Sequence, residues 1–321
     1  MCLRILHKTK YISYKIALQI LLRLPDIIFA ALFTIFFPIY KALHKKRAYG
    51  RVEQHLEKAK KYIKNHYNDN YPLQYTTAQD VFKGIFWNAL ESYRGLARLQ
   101  STTNSIVYEN EDIIRNAIAE CSAAGKPIAA ISIHQGAFEL MHRSLCRYSE
   151  NVHLITDSVG DSAFRDVLKE LRSDPHLTEY HPEETSRLIR ELFRTKGILA
   201  MVVDQGRHTK GNEVTLFGRP STLYLRLPKK INDMGAGIVI FRTWTEYSST
   251  NCGKSQTDTS NKHHKKIVIR FEKYYPPQYD ATGNSPLVTE ITSEIEKWLA
   301  EHPEQWSWNY HGNFVAPTNG K

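Results

Sequence analysis

The chain has 321 residues, 42% of them hydrophobic and 24% charged, which supplies a globular core and excludes a wholly disordered protein. Lys and Arg number 43 against 33 Asp and Glu, a formal charge of +10, which favours anionic partners: nucleic acid, acidic lipid headgroups or an acidic carrier protein. The four cysteines, Cys2, Cys121, Cys146 and Cys252, show neither C-x-x-C nor zinc spacing, so they read as free thiols of a body that faces a reducing cytosol.

The N-terminus is unusual. Residues 27–40, "IIFAALFTIFFPIY", carry no charge and follow "IALQILLRLPD" at 16–26. Taken together, 16–40 are long enough to cross a bilayer, but Arg23 and Asp26 fall near the middle, where each costs about 2.5–3.5 kcal/mol on the insertion scale. The uncharged run is short for a span and suits a helix lying in the interface. Basic flanks, "HKTKYISYK" and "KALHKKR", fit anionic lipid without setting an orientation. No small-x-small site follows the apolar run, which argues against a cleaved signal peptide. A buried core helix is the alternative reading. Residues 1–45 are therefore expected to form a membrane anchor, and residues 46–104 a helical segment.

From 105 to 321 the rhythm is α/β. Residues 109–124 read as a helix, "KPIAAISI" as a buried strand, "QGAFELMHRSLCRY" as a helix and "NVHLIT" as a strand. Two amphipathic helices follow, "FRDVLKELR" and "PEETSRLIRELFRTK", then the buried strand "GILAMVVD". "LYLRLPKKINDM" reads as a proline-interrupted helix before the strand "IVIFRTW". That strand and "KKIVIRFEKY" flank a polar loop at 246–264 and should pair antiparallel; "PLVTEITSEIEKWLAEH" closes the chain with a helix. The expected fold is a central mixed, largely parallel sheet flanked by helices.

One junction carries chemistry. His134 ends "IAAISI" and Glu139 lies five residues on. Composition alone yields one or two such pairs by chance, and a second, His208/Glu213, sits in the polar loop "GRHTKGNE". Context separates them. His134 stands at the carboxyl end of a buried strand, where open α/β sheets place ligands, and Gly136 allows a close backbone approach. Glu139, a helical turn on, is expected to hold one imidazole nitrogen, leaving the other to accept a proton from a hydroxyl.

His134 with Glu139, "VVDQ" at 202–205, "LFGRP" at 216–220 and "HPEQWSWNYH" near the end resemble, in that order, the bacterial lipid A biosynthesis acyltransferase family. That family lies within the lysophospholipid/glycerolipid acyltransferase superfamily, marked by a histidine, four residues and an acid. The resemblance covers roughly 80–315 and the N-terminal hydrophobic helix. It implies an O-acyltransferase in which His134 is the general base, Glu139 orients it, and the substrate supplies the nucleophile. The donor would be acyl carrier protein or acyl-CoA, the acceptor a membrane glycolipid such as a lipid A precursor, and the site the cytoplasmic face of the cell inner membrane. No cofactor or metal is implied, and the chain has no G-x-S-x-G, H-E-x-x-H or P-loop.

The matching blocks mark Asp204, Gln205, Phe217, Gly218 and Arg219 as substrate-binding candidates, Arg219 as a clamp for an anionic headgroup. Arg165 and Arg172 are further candidates, with a solvated helix face as the plain alternative. Trp306 and Trp308 fit core packing as well as substrate contact. The chain departs from the family at 311–314, where "HGNF" lacks two basic residues, which leaves a different glycolipid or a lysophospholipid open as acceptor. A thioesterase using the same site is the competing enzyme reading. A nucleic-acid-binding protein is disfavoured, since the charge is spread along the chain without a recognisable module.

Overall fold

The computed structural model describes residues 2–44, 48–67, 70–98, 106–156, 161–205, 210–248, 264–282 and 286–308. Four long helices come first: α1 (Cys2–Arg23), α2 (Asp26–His44), α3 (Gly50–His66) and α4 (Ala78–Arg98). The α/β part then runs β1 (Ile106–Glu109), α5 (Glu111–Ala123), β2 (Ile128–Ser132), α6 (Met141–Leu145), β3 (Val152–Ile155), α7 (Ser162–Arg172), β4 (Leu177–Tyr180), α8 (Thr185–Thr195) and β5 (Ile198–Val202). A hairpin of β6 (Asn212–Leu216) and β7 (Arg219–Leu223) precedes α9 (Arg226–Asp233), β8 (Gly237–Ser248), β9 (His264–Tyr275), α10 (Tyr279–Thr282) and α11 (Leu287–Glu301).

Seven strands form one sheet in the order β1-β9-β8-β2-β5-β3-β4. Strands β8, β2, β5, β3 and β4 run parallel; β9 turns back antiparallel on β8, and β1 lies parallel to β9. The parallel strands are short continuous apolar runs because both faces are covered: every residue of Ile128–Ser132 is buried. One face packs on α3, α8, α9 and α11, with Leu56, Leu188, Leu192, Ile231 and Ile295 in that core. The other face packs on α5 and α6 through Ile114, Ala117, Met141 and Leu145. Along α8, Leu188 and Leu192 recur one turn apart and are both fully buried, each contributing about 1.5–3 kcal/mol.

The largely parallel α/β expectation holds, as does the β8–β9 antiparallel pair; most of the polar loop between them lies outside the described residues. Several elements differ. "QGAFELMHRSLCRY" forms a turn, a 3-10 turn at Phe138–Leu140 and only the five-residue α6, because Gly136 sits at φ +57° and the backbone before Phe138 is held by other hydrogen bonds. The start of "LYLRLPKKINDM" belongs to β7, and the helix begins at Arg226. Strands β1, β4, β6 and β7 are four or five residues long and were not expected; none presents the continuous apolar run of β2 or β5.

Helix α2 is long and apolar enough to cross a membrane by length and composition: residues Asp26–Leu43 have a mean hydropathy of 1.7, with 11% of them buried.

Candidate active site

In the parallel β2–β5 pairing, Ile128 lies beside Ile198 and Ser132 beside Val202. The offset carries two residues past the strand ends, where the Val203 amide donates to the Ser132 carbonyl at 2.9 Å. His134 and Asp204 therefore meet. Nδ1 of His134 lies 2.7 Å from Oδ1 of Asp204. The His134 backbone amide also donates to both carboxylate oxygens, at 3.2 and 3.1 Å. Indole Nε1 of Trp306 donates to Oδ2 at 2.8 Å. Asp204 is 1% exposed, so its carboxylate is compensated by hydrogen-bond donors instead of water. A carboxylate accepts only, which makes Nδ1 the proton-bearing nitrogen and directs Nε2 to acceptor chemistry.

The loop carrying His134 is stitched down from behind. The Gly136 amide donates to the Gln305 carbonyl at 3.0 Å, and Gln135 Nε2 donates to the Trp298 carbonyl at 3.1 Å. Gln305 in turn pairs with the Thr245 backbone through both ends of its amide, at 2.8 and 3.0 Å. A Cβ on Gly136 would stand 2.5 Å from the Thr243 carbonyl oxygen, so the close approach that this glycine permits is to strand β8. The Phe138 ring meets the imidazole edge-on, centroids 4.7 Å apart.

Glu139 does something other than expected. Its carboxylate takes a two-pronged ion pair from Arg172, with Nε donating to Oε2 at 2.7 Å and Nη2 to Oε1 at 2.6 Å. The hydrogen bond to His134 Nδ1 belongs to Asp204, which corrects the expectation that Glu139 would hold the imidazole. The reason is geometric: Glu139 lies in the 3-10 turn, facing the last residue of α7. Burial would raise the Glu139 carboxyl, but the charge of Arg172 and its hydrogen bonds outweigh burial and hold it below the usual range. Beside this pair, burial pushes His142 down to about 4, and its Nε2 is buried without a hydrogen-bond partner.

These groups line a cavity of about 1180 Å³, at the upper end of small-molecule sites. It opens where β2, β3 and β5 end, beside Phe241 in the first half of β8, as expected for an α/β sheet. Apolar lining comes from Phe138, Leu154, Phe164, Leu168, Met201 and Phe241; basic groups come from Arg165, Lys169, Arg172, Arg187, Lys210 and Arg226; His134, Glu139 and Gln205 are also in the wall. Arg165, Arg172 and Gln205 are thus brought together with His134, and Asp204 stands immediately behind it.

Phe217, Gly218 and Arg219 are not among the residues that line this cavity. Leu216 pairs with Arg219, leaving a two-residue loop in which Phe217 and Gly218 both have positive φ, 50° and 66°. Twisted hairpins favour such loops. The Phe217 amide donates to Glu296, and its ring packs 5.5 Å from that of Trp308. A Cβ on Gly218 would meet the Tyr62 ring at 2.7 Å. "LFGRP" is accordingly explained by the fold. Trp306 and Trp308 are both fully buried, and Trp306 acts on the site through Asp204. His208 and the "HGNF" block lie outside the described residues. Among the described residues, no group of three or more His, Cys, Asp or Glu could hold a metal ion.

Neither a protein-family model nor a curated protein matches the chain.

Proposed function

We propose that the protein is a membrane-associated O-acyltransferase that moves a fatty acyl group from an acyl thioester to a lipid hydroxyl. The observation that carries this reading is His134, its Nδ1 anchored by a buried Asp204, in the wall of a large cavity that is part apolar and part basic. Nε2 takes the proton of the acceptor hydroxyl as its oxygen attacks the thioester carbonyl carbon. The C–S bond then breaks, the imidazolium returns the proton to the departing thiolate, and an oxygen ester and a free thiol remain. Asp204 stabilises the imidazolium in the same way as the orienting acid of a hydrolase triad.

The apolar lining suits an acyl chain. Arg165, Lys169 and Arg226 suit phosphate, on either the donor's phosphopantetheine arm or a glycolipid acceptor. The donor is an acyl carrier protein or acyl-CoA, the acceptor a glycolipid of the lipid A type, and the working surface the cytoplasmic face of the inner membrane. The motifs at 134–139, 202–205 and 302–311, in that order, support the same class.

Purified full-length protein should transfer a labelled acyl chain from carrier protein or CoA to a glycolipid or lysophospholipid acceptor, followed by lipid mass spectrometry. His134→Ala should abolish transfer. Release of free fatty acid with no acylated lipid, at the same rate with and without acceptor, would replace this reading with a thioesterase.

A further inference from the structure

We infer that helix α2 lies along a single leaflet of an anionic bilayer, with α1 seated beside it, and does not span the membrane. The inference rests on the membrane-attached part of the reading above and adds the mode of attachment.

Length and composition leave the choice open. The 19 residues of α2 rise about 28 Å as a helix, close to the roughly 30 Å hydrocarbon core. Packing decides it. One stripe of α2 runs antiparallel along α4. Phe29 meets Phe86 and Trp87 at ring-centroid distances of 6.0 and 6.4 Å, Phe33 meets Phe86 at 5.5 Å, and Phe37 meets Phe82 at 6.2 Å. Both ends are tied to the body. At the start, Arg94 of α4 donates to the Asp26 carboxylate and the Leu24 carbonyl and sits 5.0 Å from the Phe29 ring. At the far end, Lys41 lies 4.6 Å from the Tyr49 ring.

Helix α4 cannot follow α2 into hydrocarbon. Its Asn88 donates to the Gln305 carbonyl at 3.1 Å, and Val81 and Leu90 are core residues. A spanning α2 would strip Asp26, Leu24 and Phe29 from Arg94, which is 5% exposed, and leave it only the longer 3.3 Å contact with Glu91 of its own helix, an unfavourable change for a buried cation.

The outward face is apolar. Ile27 is 77% exposed and Leu43 75%, with Ile35, Phe36 and Ile39 between them. Helix α1 repeats the arrangement. One side grips α7, through Lys10–Asp161 and Lys15–Glu170 ion pairs and the buried Leu18, Leu22 and Val167. At 100° per residue, Ile12, Ile16 and Ile20 fall on the opposite side, 45–58% exposed. Lys8 lies at one edge of that stripe, where its stem can lie on the lipid and its ammonium group reach phosphate, while Lys10 and Lys15 are committed to Asp161 and Glu170. With a net charge of +10, the matching partner is acidic lipid.

The test uses the full-length chain with one accessible cysteine at Ile27, Ile35 or Leu43, Cys2, Cys146 and Cys252 being replaced by serine and Cys121 kept because it is only 1% exposed. Each is labelled with nitrobenzoxadiazole and bound to sealed vesicles of phosphatidylethanolamine and phosphatidylglycerol. At 100° per residue Ile27 and Leu43 lie 80° to either side of Ile35, so an in-plane helix gives equal shallow depths at Ile27 and Leu43 with nitroxide lipids, an Ile35 depth that stays within the same leaflet, and reduction of the labels at both Ile27 and Leu43 by external dithionite. A deep Ile35 label with only one reducible end would establish a span and overturn the inference. Partition should weaken about tenfold or more for each of Ile16→Gln and Ile20→Gln, and weaken without phosphatidylglycerol. A chain that stays in solution would remove the inference and the membrane attachment together, leaving the acyl-transfer assay to judge the enzyme reading separately.

Discussion

His134 and Asp204 are seventy residues apart in the chain and 2.7 Å apart in space, because the β2–β5 register sets each residue of one strand beside its counterpart on the other. The carboxylate fixes the imidazole tautomer, and that gives a sharp prediction. In Asp204→Asn, one oxygen must serve the His134 and Trp306 donors, and the amide N–H₂ faces Nδ1. The proton then moves to Nε2, the wrong nitrogen for a base. Acyl transfer should fall by about 10²–10⁴ while far-UV circular dichroism stays native. A folded Asp204→Asn protein with near wild-type turnover would contradict the tautomer argument.

Trp306 offers a milder version of the same test. Trp306→Phe keeps most of the buried ring and removes only the 2.8 Å N–H donated to Asp204. A hydrogen bond to a charged group contributes about 1.5–3 kcal/mol, so urea denaturation should show a loss of that order. Turnover should drop less than in Asp204→Asn. Equal stability of the two proteins would mean that water replaces the indole.

Glu139 and Arg172 form a pair that is best judged by a double-mutant cycle. Glu139 is 6% exposed, and removing either partner strands a buried charge, at about 3–5 kcal/mol. Glu139→Gln and Arg172→Met should each destabilise on that scale, whereas the double variant should lose less than the two single losses added. Additive losses would show that the two side chains act separately. Activity separates roles further: if Glu139 shapes the cavity wall without touching the imidazole, Glu139→Gln should retain more turnover than Asp204→Asn.

How much of this could be read from the chain follows from the range of the forces involved. The runs "IAAIS" and "ILAMV" announce buried parallel strands because both faces of those strands are apolar. That His134 stands at the carboxyl end of a buried strand could be read from the chain. Its partner could not, since i, i+5 spacing is local and the real contact depends on strand register, which no local pattern encodes. A usable signal was present: "SIH" and "VVD" each close a buried strand with a polar residue two past the last paired position. Arg172 could be read only as a substrate-binding candidate or a solvated helix residue, because its ion pair with Glu139 is tertiary. "LFGRP" carried a Gly, the residue that a positive-φ hairpin turn needs, and the turn explains that block without any substrate.

Acid lability provides the last prediction. Burial pushes both His142 and His302 down to about 4, against an ordinary value of 6.5. His142 faces Glu139, Arg172, Arg143 and Asp174, and His302 stacks on Trp244 with centroids 5.0 Å apart. Below pH 6.5 the unfolded chain binds a proton at each site, while the folded chain refuses it until about pH 4. The unfolded state therefore holds more protons in that window, and stability falls as pH falls. It is fully present above pH 6.5. Each such site contributes about 1 kcal/mol per pH unit to the slope near pH 5, offset in part by Glu179, Glu296 and Glu304, whose carboxyls burial raises. The Glu139–Arg172 pair acts lower, its contribution fading only as pH drops below the ordinary glutamate range. Urea melts at pH 7.5, 6, 5 and 4.5 would measure the curve, with His142→Phe expected to lower the slope by one histidine's share and, by removing an unsatisfied nitrogen, to raise stability at the acid end. A profile from pH 7.5 to 4.5 that His142→Phe leaves unchanged would show that this ring protonates in the folded state as readily as in the unfolded one.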